Sequence, residues 1–370
     1  MSIKSRLMNR IGRRAWSDDE VKKYMGDFRS CWLTYARDEQ LRSRAASGGS
    51  TTAILIHLLD SGVIDGAMVV RGWVDDDGVV RAEFFIATSR EQLVQAQGSK
   101  YQAVRFGKRE LGMIDQFDGR LGFVLLPCDA TKLSHARRRR PEIDERVGVV
   151  LALYCGHNSE PELVQEVTRK IGRGRGKLTD FHYRSGHWRG VLRANFEDGT
   201  EIVRHHNEFK DYYNLYFFSQ PKCNHCFDHF GYDCDISVGD IWTLAMKEHP
   251  IKHTAIVTRT EVGEKVLQSA TSHGSIQAEP TDVRDILDGQ SRTLPFHYNL
   301  TARSKVGRIF GLNIRDHVNE RVRVVDRVVA FIILLNQRVS QTRVGRRIIM
   351  ALPRPIVRGY LIALKAIEQL

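Results

Sequence analysis

The chain has 370 residues, 42% hydrophobic and 27% charged, which is enough apolar material for a substantial core and excludes disordered and collagen-like classes. Its net charge of +12 sits at the ends: residues 1–44 carry 11 basic and 6 acidic side chains, residues 315–370 carry 11 and 4, and residues 45–314 balance to zero. A neutral body argues against nucleic acid as a partner, because a phosphate backbone is neutralised by the folded surface that binds it.

Residues 1–44 read as a polar helical extension anchored by Trp16, Phe28, Trp32 and Tyr35. They contain no apolar stretch of the kind a signal peptide needs. The longest apolar run, Val328 to Leu335, has eight residues, whereas a membrane-spanning helix needs ~20. A cytoplasmic protein with reduced cysteines is therefore expected. From Ser47 the pattern changes. Ser47-Gly48-Gly49-Ser50-Thr51-Thr52 opens a buried helix that stops at Gly62, followed by a strand from Gly66 to Val74 and a turn at Asp75 to Gly78. Phe123 to Leu126 and Val147 to Leu153 read as strands buried on both faces, with a helix from Ala130 to Arg140 between them.

Residues 45–175 thus predict an α/β domain with a mainly parallel sheet and helices on both faces. The glycine-rich basic segment Ile171 to Lys177 marks a boundary. Beyond it, residues 176–275 predict a smaller antiparallel-rich unit, from about 178 to 260, with a hairpin turn at Asp198-Gly199. Residues 276–370 read as a linker and a basic amphipathic helical tail broken at Pro353 and Pro355. In that tail Val324, Val325, Val328, Val329, Ile332 and Leu335 recur on one helical face.

The six cysteines are Cys31, Cys128, Cys155, Cys223, Cys226 and Cys234. Cys223-Asn224-His225-Cys226 has the Cys-x-x-Cys spacing that lets two thiolates converge on zinc or an iron–sulfur cluster. Cys128 and Cys155 each follow a predicted strand, which places both at the carboxyl edge of a parallel sheet, where ligands bind. Three readings fit these residues: a 4Fe-4S cluster on those four thiols, a zinc knuckle on Cys223, Cys226, His229 and Cys234, or buried cysteines without metal.

Six blocks in order resemble the beta-subunit family of coenzyme F420 hydrogenases and dehydrogenases. They are Ala46-Ser47-Gly48-Gly49, Gly98-Ser99-Lys100-Tyr101, Leu126-Pro127-Cys128-Asp129, Tyr154-Cys155-Gly156, Cys223-x-x-Cys226 with Asp235 to Trp242, and Val257-Thr258-Arg259-Thr260. The resemblance implies an iron–sulfur flavoprotein oxidoreductase. FAD would exchange a hydride with a small organic substrate, coenzyme F420 or a polysaccharide- or isoprenoid-pathway compound, and single electrons with a 4Fe-4S cluster. Carried over block by block, Cys128, Cys155, Cys223 and Cys226 are the implied cluster ligands. Ser47, Gly48, Gly49, Ser50, Thr51, Thr52, Ser99, Lys100, Tyr101, Asp129, Asp240 and Arg259 are the implied cofactor contacts. The chemistry is coherent, since glycines admit close backbone approach and a helix starting near Ser50 offers free N–H groups to pyrophosphate. Taken alone, the same segment is an ordinary helix cap, Lys100 a surface lysine, and Asp240 and Arg259 structural charges.

The chain departs from the family pattern in four places, one of them Cys234, which stands where the pattern has a small or aliphatic residue and is either an alternative ligand or an inert thiol. The chain also lacks the N-terminal Cys-x-x-Cys-x-x-Cys ferredoxin module, so a separate ferredoxin-like protein would carry electrons to or from it. Asp129 stands where relatives usually have Gln. The basic tail has no counterpart in the motifs; its arginines and apolar face suit an anionic membrane surface, packing on the body, or a homo-oligomer contact. No side chain stands out as the general acid, although His157 and His225 are candidates that would otherwise be surface histidines. The rival readings are a zinc-stabilised binding module and a catalytically degenerate scaffold in a membrane-associated assembly.

Overall fold

A computed structural model describes residues 16–368; the helical reading of residues 1–15 lies outside them. Strands β1 (Ser30–Ala36), β2 (Gly66–Val74), β3 (Val80–Ala87), β4 (Leu121–Leu125), β5 (Val147–Leu153), β9 (Ile236–Asp240), β10 (Thr254–Thr258) and β11 (Ile276–Pro280) form one sheet. Their order is β11-β1-β10-β9-β5-β4-β2-β3. The centre, β2, β4, β5 and β9, is parallel, and antiparallel strands flank it on both sides. β6 (Leu178–Ser185), β7 (Val191–Phe196) and β8 (Glu201–His205) form a separate antiparallel sheet, with β7 and β8 joined at the predicted Asp198-Gly199 turn. The α/β class is therefore as predicted, with the small antiparallel sheet and the helical C-terminal region in place.

Helices cover both faces of the large sheet because its inner strands are apolar on both. On one face the helix Ser50–Asp60 packs Ile54, Leu55 and Leu58 against Leu151, Val238 and Ile256; each such side chain contributes about 1.5–3 kcal/mol by leaving water. On the other face Ala130 and Leu133 of the helix Pro127–Arg139 meet Phe123 and Val150.

Two expectations are corrected. Residues 30–36 are a strand, not part of a helical extension, and they pair with β10 and β11. The segment Ser-Cys-Trp-Leu-Thr-Tyr-Ala is rich in β-formers, and its partners lie more than 200 residues later, where no local pattern reveals them. The antiparallel unit is also shorter than residues 178–260, because β9 and β10 return to the main sheet and add themselves to its parallel edge.

The C-terminal region packs on the body. The helix Val324–Ser340 buries Val329, Ala330, Ile333 and Leu334, and the helix Arg354–Glu368 buries Val357, Leu361 and Leu364. Of the six residues expected on one face of the former helix, only Val329 is buried; Val324, Val328 and Leu335 are exposed with Phe331. The packed face is turned by one residue because the body covers only one side of the helix. Among the described residues no helix is long and apolar enough to cross a membrane.

The Ser47–Gly49 turn is stitched between two strands. Ser47 Oγ donates to His253 O at 2.8 Å, Gly48 N to Thr254 Oγ1 at 3.0 Å, and Ala36 N to Gly48 O at 2.8 Å. A Cβ on Gly48 would lie 2.6 Å from Thr34 O and 2.9 Å from Thr254 N, both backbone atoms that cannot give way. Gly48→Ala should therefore cost about 3 kcal/mol, measured as a fall in Tm. A loss under about 0.5 kcal/mol, the ordinary surface range, would contradict this packing.

Candidate active site: a basic cavity beside four thiols

A cavity of about 760 Å³ opens at the carboxyl ends of the parallel strands, lined by Val69 and Val70, Val124 to Leu126, Leu153 to Asn158, and Val238 to Asp240. This edge is where the strand-to-helix connections diverge and leave space for a ligand. Its other walls come from the Gly98 to Gln102 loop, the helix Asn207–Asn214 and the helix Arg354–Glu368.

Of the predicted cofactor residues, Ser47, Gly49, Thr51, Thr52, Ser99, Lys100, Tyr101, Asp129 and Asp240 all line this one cavity. Gly49 takes φ +81°, the left-handed conformation that glycine tolerates, and turns the chain into the helix Ser50–Asp60, whose first N–H groups are left free for a ligand. Lys100 Nζ donates to Gln97 O at 3.0 Å and to Ala96 O, and burial lowers its ammonium to about 8. The Asp240 carboxylate accepts from Arg184 Nη1 at 2.7 Å. Asp129, almost fully buried, pairs with Lys132 at 2.9 Å, and its Oδ2 has no partner.

Three predicted residues lie elsewhere. Gly48 sits beneath the strands. Ser50 is fully buried and accepts from Thr34 Oγ1 at 2.7 Å. Arg259 is a structural clip, donating to Met25 O at 2.9 Å, Asp27 O at 2.8 Å and Ser237 Oγ at 2.6 Å. Its guanidinium ties the end of the helix Asp18–Met25 and the connection before β1 to Ser237 of β9.

Cys128 stands in the first turn after β4, Cys155 two residues after β5 at the cavity wall, Cys223 within a short 3-10 turn, Pro221–His225, and Cys226 immediately after it. The four form one neighbourhood. Burial raises the Cys155 thiol well above its usual value, and Cys223, Cys128 and Cys226 raise it further. Cys223 Sγ accepts from Asn158 N at 3.4 Å, and Lys222 Nζ is 3.8 Å from Cys128 Sγ. Among the described residues, no three His, Cys, Asp or Glu side chains are arranged as a metal site. The donor type is nevertheless the one iron–sulfur clusters take: Cys155 feels the charges of the three other thiols, and the Lys222 ammonium lies close by.

The zinc knuckle is not assembled. Cys234 turns into the core beside Phe123, donating to Gly231 O at 2.9 Å, while His229 Nε2 is engaged with Gln290 Oε1 at 3.1 Å. Cys31 is likewise buried in the core.

Several cavity residues escaped the sequence reading. Lys210 lies over the rings of Tyr101 and Tyr213, 3.9 and 3.8 Å from their centroids. Burial, and then the charge of Arg184, lower its ammonium to about 7. Its only signal was a lysine among aromatics in Phe209-Lys210-Asp211-Tyr212-Tyr213. His157 is not a surface histidine: it is buried, stacks on Tyr213 at 3.9 Å, and its Nε2 has no partner. His225 is exposed, as expected of a surface histidine, and accepts from Arg315 N at 3.2 Å. Arg303, fully buried, donates from Nε to Asn224 O at 3.1 Å and from Nη2 to Cys226 O at 3.0 Å. It fixes two carbonyls of the Cys-x-x-Cys turn from a helix, Leu300–Gly307, that no motif marked.

Comparison with known families matches this chain to both halves of "Coenzyme F420 hydrogenase/dehydrogenase, beta subunit": residues 31–108 to its N-terminal model and residues 118–284 to its C-terminal model. The coenzyme F420 hydrogenase beta polypeptide of Methanosarcina barkeri is 22% identical over 270 residues, covering 70% of this chain and 84% of the relative. The F420-dependent formate dehydrogenase 1 subunit beta of Methanococcus maripaludis is 24% identical over 257 residues, covering 67% of this chain and 61% of the relative. A chain of the F420-reducing [NiFe] hydrogenase complex from Methanosarcina barkeri has the same fold, with a TM-score of 0.59 at 18% identity, over 79% of this chain and 97% of that one.

Proposed function

Because the chain belongs to the coenzyme F420 hydrogenase/dehydrogenase beta-subunit family, we propose that it is the flavin-bearing subunit of an F420-linked or related oxidoreductase. FAD would occupy the cavity, and Cys128, Cys155, Cys223 and Cys226 would hold a 4Fe-4S cluster. The observation that carries this reading is the position of four neighbouring thiols beside a large cavity at the carboxyl ends of parallel strands. When bound, the flavin supplies two-electron exchange with an organic substrate and one-electron exchange with the cluster.

The protein's own groups divide the remaining work. The free N–H groups after Gly49, with Thr51 and Thr52, would receive a phosphate. Tyr101 and Tyr213 form an apolar wall that excludes water. Lys210 Nζ can hold or release a proton near neutral pH, and His157 Nε2 is a free acceptor or donor on the same wall. Since Cys31 and Cys234 are packed in the core, these 370 residues leave no thiols for a second cluster. A separate ferredoxin-like protein or companion polypeptide would therefore carry electrons to or from this one.

Anaerobic purification with iron, sulfide, zinc and flavin measured on one sample tests the assignment. About four irons and one FAD per chain are expected. A protein that holds only zinc, or neither metal nor flavin after anaerobic reconstitution, would sink it.

Lys100 makes the reading pH-sensitive. Its ammonium is charged at pH 7 and loses its proton as pH rises through about 8, so a phosphate held beside it should be released faster across that range. The flavin dissociation rate, followed by fluorescence, should rise with pH in the parent and rise less between pH 7 and 9 in Lys100→Met, where Lys210 still titrates nearby. Equal pH profiles would remove Lys100 from the binding site. The sign for stability is opposite: between pH 8 and the ordinary lysine value the unfolded chain binds more protons, so this group's burial destabilises the fold less as pH rises.

For the C-terminal region we propose contact with an anionic membrane surface. Val324, Val328, Phe331 and Leu335 are exposed at helical spacing, with Arg327 and Arg338 exposed beside them. An apolar stripe flanked by arginines complements anionic headgroups over apolar chains. Sedimentation with phosphatidylglycerol vesicles should capture the protein, and Val328→Asp with Phe331→Asp should release it. Equal capture of parent and variant would refute the surface.

A further inference from the structure

Three arginines from separate elements line the same side of the cavity: Arg189 between β6 and β7, Arg292 just after the helix Val283–Gln290, and Arg358 in the helix Arg354–Glu368. Arg358 is ion-paired with buried Asp211 at 2.7 Å. The guanidinium groups of Arg189 and Arg292 have neither an ion pair nor a hydrogen bond among the described residues. Arg189 is half-buried, and burial, followed by the charges of Arg292 and Arg358, lowers it from the ordinary arginine range. Lys365 on the same helix is paired with Glu368 at 2.6 Å, as Arg358 is with Asp211, so on this side of the cavity Arg189 and Arg292 are the arginines without an ion pair among the described residues.

Arg358 is half-buried like Arg189, while Arg292 is exposed at the rim; like charges gathered at one cavity raise the free energy of the empty site, and an anion between them would offset that cost. Arginine's planar fork matches phosphate or carboxylate with paired hydrogen bonds. Leu361 and Ile362 place an apolar surface beside the charges. Arg292 and Arg358 lie beyond residue 284, where the family match ends. The predicted phosphate-binding turn at Gly49 lines the same cavity but is contributed by a different element.

We propose that Arg189, Arg292 and Arg358 form an anion subsite that recognises a phosphate group on the organic substrate, with the C-terminal helix supplying one wall. This rests on the cavity being the ligand site of the proposed oxidoreductase. The same chemistry could come from the pyrophosphate of the flavin itself, and the experiment separates the two sources.

The full chain, purified anaerobically with its bound flavin, is titrated with inorganic pyrophosphate at low ionic strength, binding being read by calorimetry and by the rise in Tm. Arg189→Gln and Arg292→Gln break no ion pair and should fold like the parent. Saturable binding by the parent is expected, weakened about tenfold or more in each variant, partly restored in Arg189→Lys, and with flavin per chain unchanged. Absence of saturable binding by the parent, or equal affinity in the variants, overturns the subsite. Loss of flavin from the variants overturns the assignment to substrate and gives the arginines to the cofactor. A parent that never contains flavin defeats the flavin reading alone, while the titration still decides the subsite.

Discussion

Cys155→Ser will yield a folded chain almost free of iron. Of the four thiols, Cys155 is the one that both lines the cavity and is influenced by all three others. Serine keeps the shape and leaves the backbone bond from Cys155 N to His229 O in place, so the scaffold should survive; its hydroxyl is not the soft anionic donor that iron–sulfur clusters require. Changing a group that merely supports a ligand costs metal sites about 10–100-fold in affinity, and removing a ligand should cost more. The measurement is iron and sulfide per chain after anaerobic reconstitution, with circular dichroism as the control for folding. A full complement of iron in Cys155→Ser would exclude this thiol from the ligand set. Cys234→Ser is the matched comparison: its thiol is in the core beside Gly231, and it should keep its iron.

Arg303→Met should have the second large effect, on stability and iron together. Its guanidinium is fully buried, stacks on Phe296 at 4.1 Å and satisfies the carbonyls of Asn224 and Cys226. Methionine fills part of the volume but leaves both buried acceptors without donors, at about 1–3 kcal/mol each. The turn that spaces Cys223 from Cys226 would lose its hold from the helix Leu300–Gly307. A fall of several degrees in Tm and slower iron incorporation are expected, with Arg303→Lys restoring the charge but not the paired hydrogen bonds. If the variant loses stability but takes up iron at the parental rate, Arg303 supports the fold and does not position the cysteine turn.

Local pattern made the central sheet and much of the site legible from residue order alone. Val147 to Leu153 is an apolar run too short for a helix, and it is β5 as read. Cys128 and Cys155 directly follow strand-like runs, so their arrival at one sheet edge needed only the parallel pairing of β4 with β5. The glycine turn leading into Ser50 is equally local, since a left-handed residue there is a property of the chain itself.

The remaining features depend on which segments folding brings together. β1 joins partners more than 200 residues away, so its edge-to-edge pairing outweighed a polar, helix-like neighbourhood. Lys210 looks like any lysine in sequence; burial over two tyrosines sets its proton affinity, and burial exists only once the Gly98 loop and the helix Asn207–Asn214 meet. Arg259, implied as a cofactor contact, lies outside the cavity and clips β9 to the segment before β1, while Arg189, Arg292 and Arg303 carried no motif. The physical reason is the range of the interactions: periodicity and turn chemistry act over a few residues, whereas desolvation and charge neighbourhoods are sums over distant parts of the chain.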